Sequence, residues 1–111
     1  MDTNEYQKRA SITYEPVDVS KAPNLLYPAL GLANEAGEVL GKIKKIFRDK
    51  GGIISSQDIQ DLKYELGDVL WYLSTCCLEL GLSLAEVAES NIEKILDRQK
   101  RGVTHGEGDN R

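Results

Sequence analysis

Histidine occurs once, cysteine twice, tryptophan, phenylalanine and methionine once each, and proline three times in 111 residues. One histidine and two neighbouring cysteines, Cys76 and Cys77, make a poor donor set for zinc. Adjacent in a helical segment, those cysteines could form a disulfide only under strain, and they read as reduced core residues of a cytosolic protein. No apolar run reaches the roughly 18 residues needed to span a bilayer, and the opening Met1-Asp2-Thr3-Asn4 has no signal-peptide pattern. Positive charge is also in deficit. With 14 Lys+Arg against 18 Asp+Glu the formal charge is −4 and the pI about 5.0, which argues against non-specific binding to nucleic acid or anionic membrane. The length fits one small domain.

What the chain does contain is a duplication. Leu32-Ala33-Asn34-Glu35-Ala36-Gly37-Glu38-Val39-Leu40 returns as Leu62-Lys63-Tyr64-Glu65-Leu66-Gly67-Asp68-Val69-Leu70. Leucine, glutamate, glycine, valine and leucine recur at the same offsets, and Asp68 answers Glu38. No proline interrupts either copy, and the apolar spacing makes each part of a long helix. Residues three apart lie roughly 60° from each other on a helix, so Glu35 with Glu38, and Glu65 with Asp68, form two carboxylate pairs. Both pairs flank an apolar arc, Leu32, Ala36, Val39 and Ile43 in one copy and Leu62, Leu66, Val69 and Leu73 in the other. Packing of the two arcs would bring the acids face to face. Four converging carboxylates repel unless a cation sits among them, and all-oxygen ligands select Mg²⁺ or Mn²⁺. The ordinary alternative is a solvated helix face on which Glu38 pairs with Lys42 one turn on.

Around the duplication the spacing predicts four helices. The first runs from Asp2 to about Ala10, capped by Asp2 or Thr3 and anchored by Tyr6. A turn-rich connection with Pro16 and Pro23 follows. The second helix starts near Asn24 or Tyr27, tolerates Pro28 in its first turn and reaches about Arg48. Its basic end suits a helix C-terminus, but Lys42 and Lys45 share the acidic flank. Ser55 and Asp58 resemble a capping box opening a third helix that stops at Gly81. Besides its main arc through Leu62, Leu66, Leu73 and Leu80, that helix has an opposite apolar face at Tyr64, Trp71 and Leu78. Two apolar faces need two partners, so a homodimer or larger assembly is expected, with Trp71 near the interface. Tyr72 lies on the acid flank, placed to stack on or hydrogen-bond a ligand or to be an ordinary half-buried tyrosine. Ser83 and Glu86 cap a fourth helix ending near Arg101, with Leu84, Ala88 and Ile95 as its core stripe. Asn91, Lys94 and Arg98 fall in or beside that stripe. They would either snorkel or bind a phosphate-bearing ligand. Residues 103–111 are too glycine-rich for a helix, either disordered or folded over a neighbour, and His105 within them is a poor general base.

Glu35-x-x-Glu38 followed by Glu65-x-x-Asp68, with Asp68-Val69-Leu70-Trp71-Tyr72-Leu73 and Asn91-x-x-Lys94…Arg98, resembles the MazG-like all-alpha nucleoside triphosphate pyrophosphohydrolases over roughly Tyr6 to Arg101. Gly108-Asp109-Asn110-Arg111 is similar to the tails of small single-domain members. Many relatives open the first motif with two glutamates where this chain has Asn34, leaving four acids rather than five. The four helices read from the spacing predict an all-α, four-helix, bundle-like single domain, and the two apolar faces of the third predict a homodimer or homotetramer. The resemblance implies Mg²⁺-dependent (or Mn²⁺-dependent) hydrolysis of a nucleoside triphosphate between its α and β phosphates. Glu35, Glu38, Glu65 and Asp68 would hold the metal, Glu35 either as a ligand or as the base for the attacking water. Tyr72, Asn91, Lys94 and Arg98 would bind substrate. A phosphoribosyl-ATP pyrophosphohydrolase would keep the acids and change the base pocket. A di-iron bundle requires Glu-x-x-His pairs, and no histidine follows either acid motif. A helical interaction module without enzymatic activity is the remaining alternative.

Overall fold

The structure, a computed structural model, describes residues 1–17 and 24–111, so the expected turn at Pro23 lies outside the described residues. It consists of helices α1 (Thr3–Ile12), α2 (Leu26–Lys50), α3 (Ser56–Glu79) and α4 (Leu84–Lys100), with no strand among the described residues. The helix ends follow local chemistry closely. Asp2 caps α1 by accepting the Glu5 N–H at 2.8 Å. Pro28 is the third residue of α2, where its missing N–H would have had no helical partner, and it is fully buried. Gly51 ends α2 in the left-handed region at φ 61°. Both predicted capping boxes close, Ser55 with Asp58 and Ser83 with Glu86, and each cap contributes about 1 kcal/mol.

Asp58 also receives Lys50 Nζ at 2.7 and 2.9 Å, joining the end of α2 to the start of α3. The Lys50 ammonium, followed by the Ser55 backbone and hydroxyl, holds the Asp58 carboxyl at about 2, below its ordinary 3.8. A carboxyl depressed on folding stabilises the fold above its unfolded value, and that stabilisation disappears as pH falls through the folded one. Acid titration followed by circular dichroism should therefore show stability lost between pH 4 and 2, and Asp58→Asn should flatten that limb.

α2 and α3 form an antiparallel hairpin, since Lys50 meets Asp58, Lys42 meets Glu65, and Tyr27 meets Tyr72. α1 lies on α3 and touches α4. The turn at Gly81 (φ 72°) sends α4 off at 100° to α3, and α4 does not contact α2. The expected bundle-like arrangement is thus replaced by a hairpin with two shorter helices at one end.

Gln7 fixes that corner. Its Nε2 donates to the Leu82 carbonyl at 2.9 Å, and its Oε1 accepts the Leu84 N–H at 2.9 Å. Gln7 and Ala10, rather than the half-buried Tyr6, are the buried residues of α1. Gln7→Ala would leave the buried Leu84 N–H and the partly buried Leu82 carbonyl without their partner, and should cost about 1–3 kcal/mol in urea unfolding. Glu79 makes a second clamp, accepting the Tyr14 hydroxyl at 2.9 Å and the Asn24 N–H at 3.0 Å. An anion at a helix C-terminus opposes the dipole, and these two donors hold it there.

Burial departs from the predicted stripes. Among the described residues Ala10, Ile46, Cys77 and Leu84, with Pro28, form the buried apolar core, while Leu40, Phe47, Ile59, Leu66 and Leu80 are more than half exposed. Of the expected α4 stripe, Leu84 is buried but Ala88 and Ile95 are exposed, because α4 leaves the hairpin. Ala36, Ile43 and Leu66 of the expected α2–α3 arc are also exposed. The inward stripe of α2 is instead Leu32, Glu35, Val39, Lys42 and Ile46. The radius of gyration is 17.0 Å, against about 13 Å for a compact domain of this length. Trp71 is half-buried within its own chain: Nε1 donates to Thr13 Oγ1 at 2.9 Å, and Tyr14 packs edge-on with ring centroids 6.0 Å apart.

Candidate metal and catalytic site

The duplicated segments repeat their surroundings as well as their letters. Leu32 and Leu62, Glu35 and Glu65, and Val39 and Val69 are half-buried, whereas Ala36 and Leu66, Gly37 and Gly67, Glu38 and Asp68, and Leu40 and Leu70 are exposed. Glu35 lies between Leu32 and Val39 on the i, i+3, i+7 stripe, so packing of those apolar residues draws its carboxylate into the α2–α3 seam. Glu65 occupies the same position on α3. Antiparallel pairing then puts Glu35 level with Glu65 and Asp68, and one carboxylate oxygen from each lies within 4.8 Å of the other two.

Glu38 stands outside that trio, exposed on the flank of α2, but its charge reaches Glu35. Burial first, then the charges of Asp68, Glu65 and Glu38, raise the Glu35 carboxyl above its ordinary value. Lys42 Nζ is 3.4 Å from Glu65 Oε1 and supplies one compensating charge to three acids. An excess of converging carboxylate oxygens, set against a single nearby ammonium, is a donor set that fits a hard divalent cation and does not fit a soft one.

Tyr72 borders the acids. Its hydroxyl is pushed up to about 12 by a hydrogen bond with Tyr27, then by burial, then by the charges of Glu35 and Asp68. The ring packs edge-on against Tyr27 and Trp71, with centroids 6.2 and 5.0 Å away. It also lies so close to Gly31 that a Cβ there would enter the ring. Among the described residues no atom of another element would lie within 4 Å of a Cβ at Gly37 or Gly67, so packing among these residues does not require the repeated glycine.

The structure places the remaining candidates apart from the acids. Asn91 and Lys94 line a groove of about 560 Å³ on α4 with Leu82, Glu86, Val87 and Ser90. Arg98 is buried further along α4, beneath residues 103–111. That segment is non-helical, as expected, and folds back on the end of its own helix.

The MazG nucleotide pyrophosphohydrolase domain family matches residues 26–103, which include all four motif acids. The chain belongs to that family. It is also similar to the Gene 37 protein of Mycobacterium phage L5, 44% identical over 94 residues that span 85% of this chain and 82% of that protein. No solved structure matches it. The match to the MazG domain begins where α2 begins and takes in the whole hairpin that gathers Glu35, Glu65 and Asp68.

Sequence reasoning did not single out Gln7, Tyr27, Gly31 or Glu79. Gly31 and Tyr27 had a usable signal, since they lie one turn apart on α2 and on the approach to the acid flank. Gln7 and Glu79 had none, because their partners, backbone groups and for Glu79 also the Tyr14 hydroxyl, lie far away in sequence.

Proposed function

We propose that the protein is a divalent-metal-dependent nucleoside triphosphate pyrophosphohydrolase that cleaves between the α and β phosphates, releasing a nucleoside monophosphate and pyrophosphate. The observation that carries this reading is the meeting of Glu35, Glu65 and Asp68 within the family-matched hairpin. These three would hold Mg²⁺ or Mn²⁺, which supplies neutralisation of the triphosphate oxygens. Glu38 is the remaining motif carboxylate, exposed and one turn from Glu35, and it is assigned to orient the attacking water and accept its proton. The water oxygen bonds the α-phosphorus, and the bond from that phosphorus to the α–β bridging oxygen breaks. Lys42, adjacent to Glu65, would balance charge while the site is empty of cation and meet phosphate when it is filled.

The working form is proposed to be a homo-oligomer. The exposed Leu40, Phe47, Ile59 and Leu66 and the open space at Gly37 and Gly67 favour close approach of another copy. Because α4 does not touch α2, Asn91 and Lys94 would bind the substrate of a neighbouring copy. The test is to incubate the protein with a panel of canonical and modified triphosphates, with and without Mg²⁺, and identify the products. Monophosphate with pyrophosphate is expected. Orthophosphate release would refute the cleavage position, and equal turnover in excess chelator would remove the metal.

A further inference from the structure

The edge of the hairpin that holds the acids changes character along its length. On α2, Tyr27, Gly31, Glu35, Lys42 and Lys45 fall within about 80° of one another around the helix axis. From Leu26 to Asn34 there is no charged residue, Glu35 and Glu38 are acidic, and from Lys42 to Lys50 five cations stand against Asp49 alone. α3 follows the same order in reverse: Tyr72 meets Tyr27, Glu65 and Asp68 meet Glu35, and Glu65 also meets Lys42. At about 1.5 Å per residue, Tyr27 lies about 12 Å along α2 from Glu35, and Lys42 and Lys45 lie about 10 and 15 Å from it in the other direction. Helical side chains lean towards the N-terminus, which brings both ammonium groups back towards the acids.

Each end of this edge keeps one group uncommitted. At the aromatic end the Tyr72 ring is enclosed by Gly31, Trp71 and Tyr27, and its hydroxyl is engaged with Tyr27. Tyr27 is 39% exposed, so it is the member of the pair with ring surface to offer. At the other end a cavity of about 240 Å³ opens between Lys42, Lys45 and Lys50 of α2 and Asp58 and Asp61 of α3, with Asp49 at its wall. The three acids of that cavity have partners. Asp49 accepts Arg48 Nε at 2.7 Å, Asp58 accepts Lys50 Nζ at 2.7 Å, and Asp61 accepts Gln57 Nε2 at 2.9 Å. Among the described residues Lys45 forms no ion pair, which leaves its charge available to a ligand.

We propose that a nucleoside triphosphate lies along this edge in one direction, its nucleoside against Tyr27 and its β and γ phosphates at Lys45. The inference rests on the hydrolase reading of the acid cluster and adds to it which way the substrate runs. A nucleotide is aromatic at one end and anionic at the other, with its α phosphate between them, and the edge presents an aromatic end, an acid cluster and a basic end in that sequence. The base stacks on the open surface of Tyr27, and the Lys45 ammonium meets the phosphate oxygens as a point charge. The opposite direction would set the phosphates beside Leu26 to Asn34, where α2 has no cation, and the base in a cavity walled by charged groups. Pyrophosphate then leaves from the basic end while the monophosphate stays on the aromatic one.

The experiment uses the full chain in Mg²⁺ with two kinds of probe, inorganic pyrophosphate and the α,β-imido analogues of the four canonical deoxynucleoside triphosphates, and reads affinity by calorimetry. Tyr27→Ala should weaken the best-bound analogue about tenfold and leave pyrophosphate unchanged, and Tyr27→Phe should keep most of the analogue affinity. Lys45→Gln should weaken pyrophosphate and the analogue alike, about tenfold each, and Lys45→Arg should recover part of both. Circular dichroism checks each variant for folding, and unchanged pyrophosphate affinity in Tyr27→Ala excludes a general loss of the site. Equal weakening of both probes by Tyr27→Ala, full pyrophosphate affinity in Lys45→Gln, or no binding of either probe by the unaltered chain would each overturn the proposal. Turnover is measured in parallel on the unaltered triphosphates. The expected split of affinities without monophosphate production would uphold the direction and refute the hydrolysis, whereas turnover without the split would do the reverse.

Discussion

Glu65→Gln should lower kcat/KM for the best triphosphate substrate by about three orders of magnitude, close to 4 kcal/mol of transition-state stabilisation. Glu65 is half-buried between Glu35, Asp68 and Lys42, so the change removes one charge from the middle of the cluster and little volume. A glutamine offers a neutral oxygen in nearly the same place. The fold should survive, and the loss should appear as weakened metal dependence that higher Mg²⁺ partly restores. Glu35→Gln should act in the opposite sense on stability without metal, raising Tm by removing a charge that burial, and then repulsion from Asp68, Glu65 and Glu38, disfavour. The pH profile should carry the same signature. Glu35 must be ionised to help hold a cation, and its raised pKa keeps it protonated to higher pH than an ordinary glutamate. Activity should therefore fall on the acid side at higher pH than an ordinary glutamate would set, and more Mg²⁺ should move that limb downwards by competing with the proton.

Gly31→Val should destabilise the chain by about 3 kcal/mol, in the upper range for overpacking, with Tm lower by about 12 °C or more. In a helix interior glycine is ordinarily a cost of about 1 kcal/mol relative to alanine, so a substitution should help unless something occupies the space. At Gly31 the space holds the Tyr72 ring, itself fixed by Tyr27 and Trp71, so the ring cannot easily withdraw. The cause can be isolated by a double substitution. Gly31→Val in a Tyr72→Leu background should cost much less than the sum of the two changes, whereas additivity would show that the contact is not responsible. Activity should fall with the stability loss, because the same ring borders Glu35 and Asp68.

The helices and their ends were legible because their causes are local: Asp2, Ser55 and Ser83 cap within three residues, and Gly51 and Gly81 end helices in the left-handed region. The duplicated acids were legible because a repeat preserves angular position. The stripe that faces inward was not. Helical periodicity ranks Ala36 and Leu66 as core because they are apolar, but the seam takes Glu35 and Lys42 and leaves those two exposed. That choice depends on how far each helix is rotated about its axis, which a single helical pattern does not fix. The course of α4 was hidden for a similar reason. Its capping box announces where it starts, and the 100° turn that carries Asn91 and Lys94 away from the acids is set by Gln7, 75 residues earlier than Leu82. Arg98 was noticed as a polar group where an apolar one was expected, but its partner lies in a segment with no periodicity to read.

Everything functional in this account depends on Glu35, Glu65 and Asp68 sharing one divalent ion. The direct measurement is a calorimetric titration of the metal-free protein with Mn²⁺, repeated on Glu65→Gln and Asp68→Asn and checked for folding by circular dichroism. Saturable binding by the unaltered chain, weakened at least about tenfold in each folded variant, is the expected result. Equal Mn²⁺ affinity in all three proteins, or no binding in any, would contradict it.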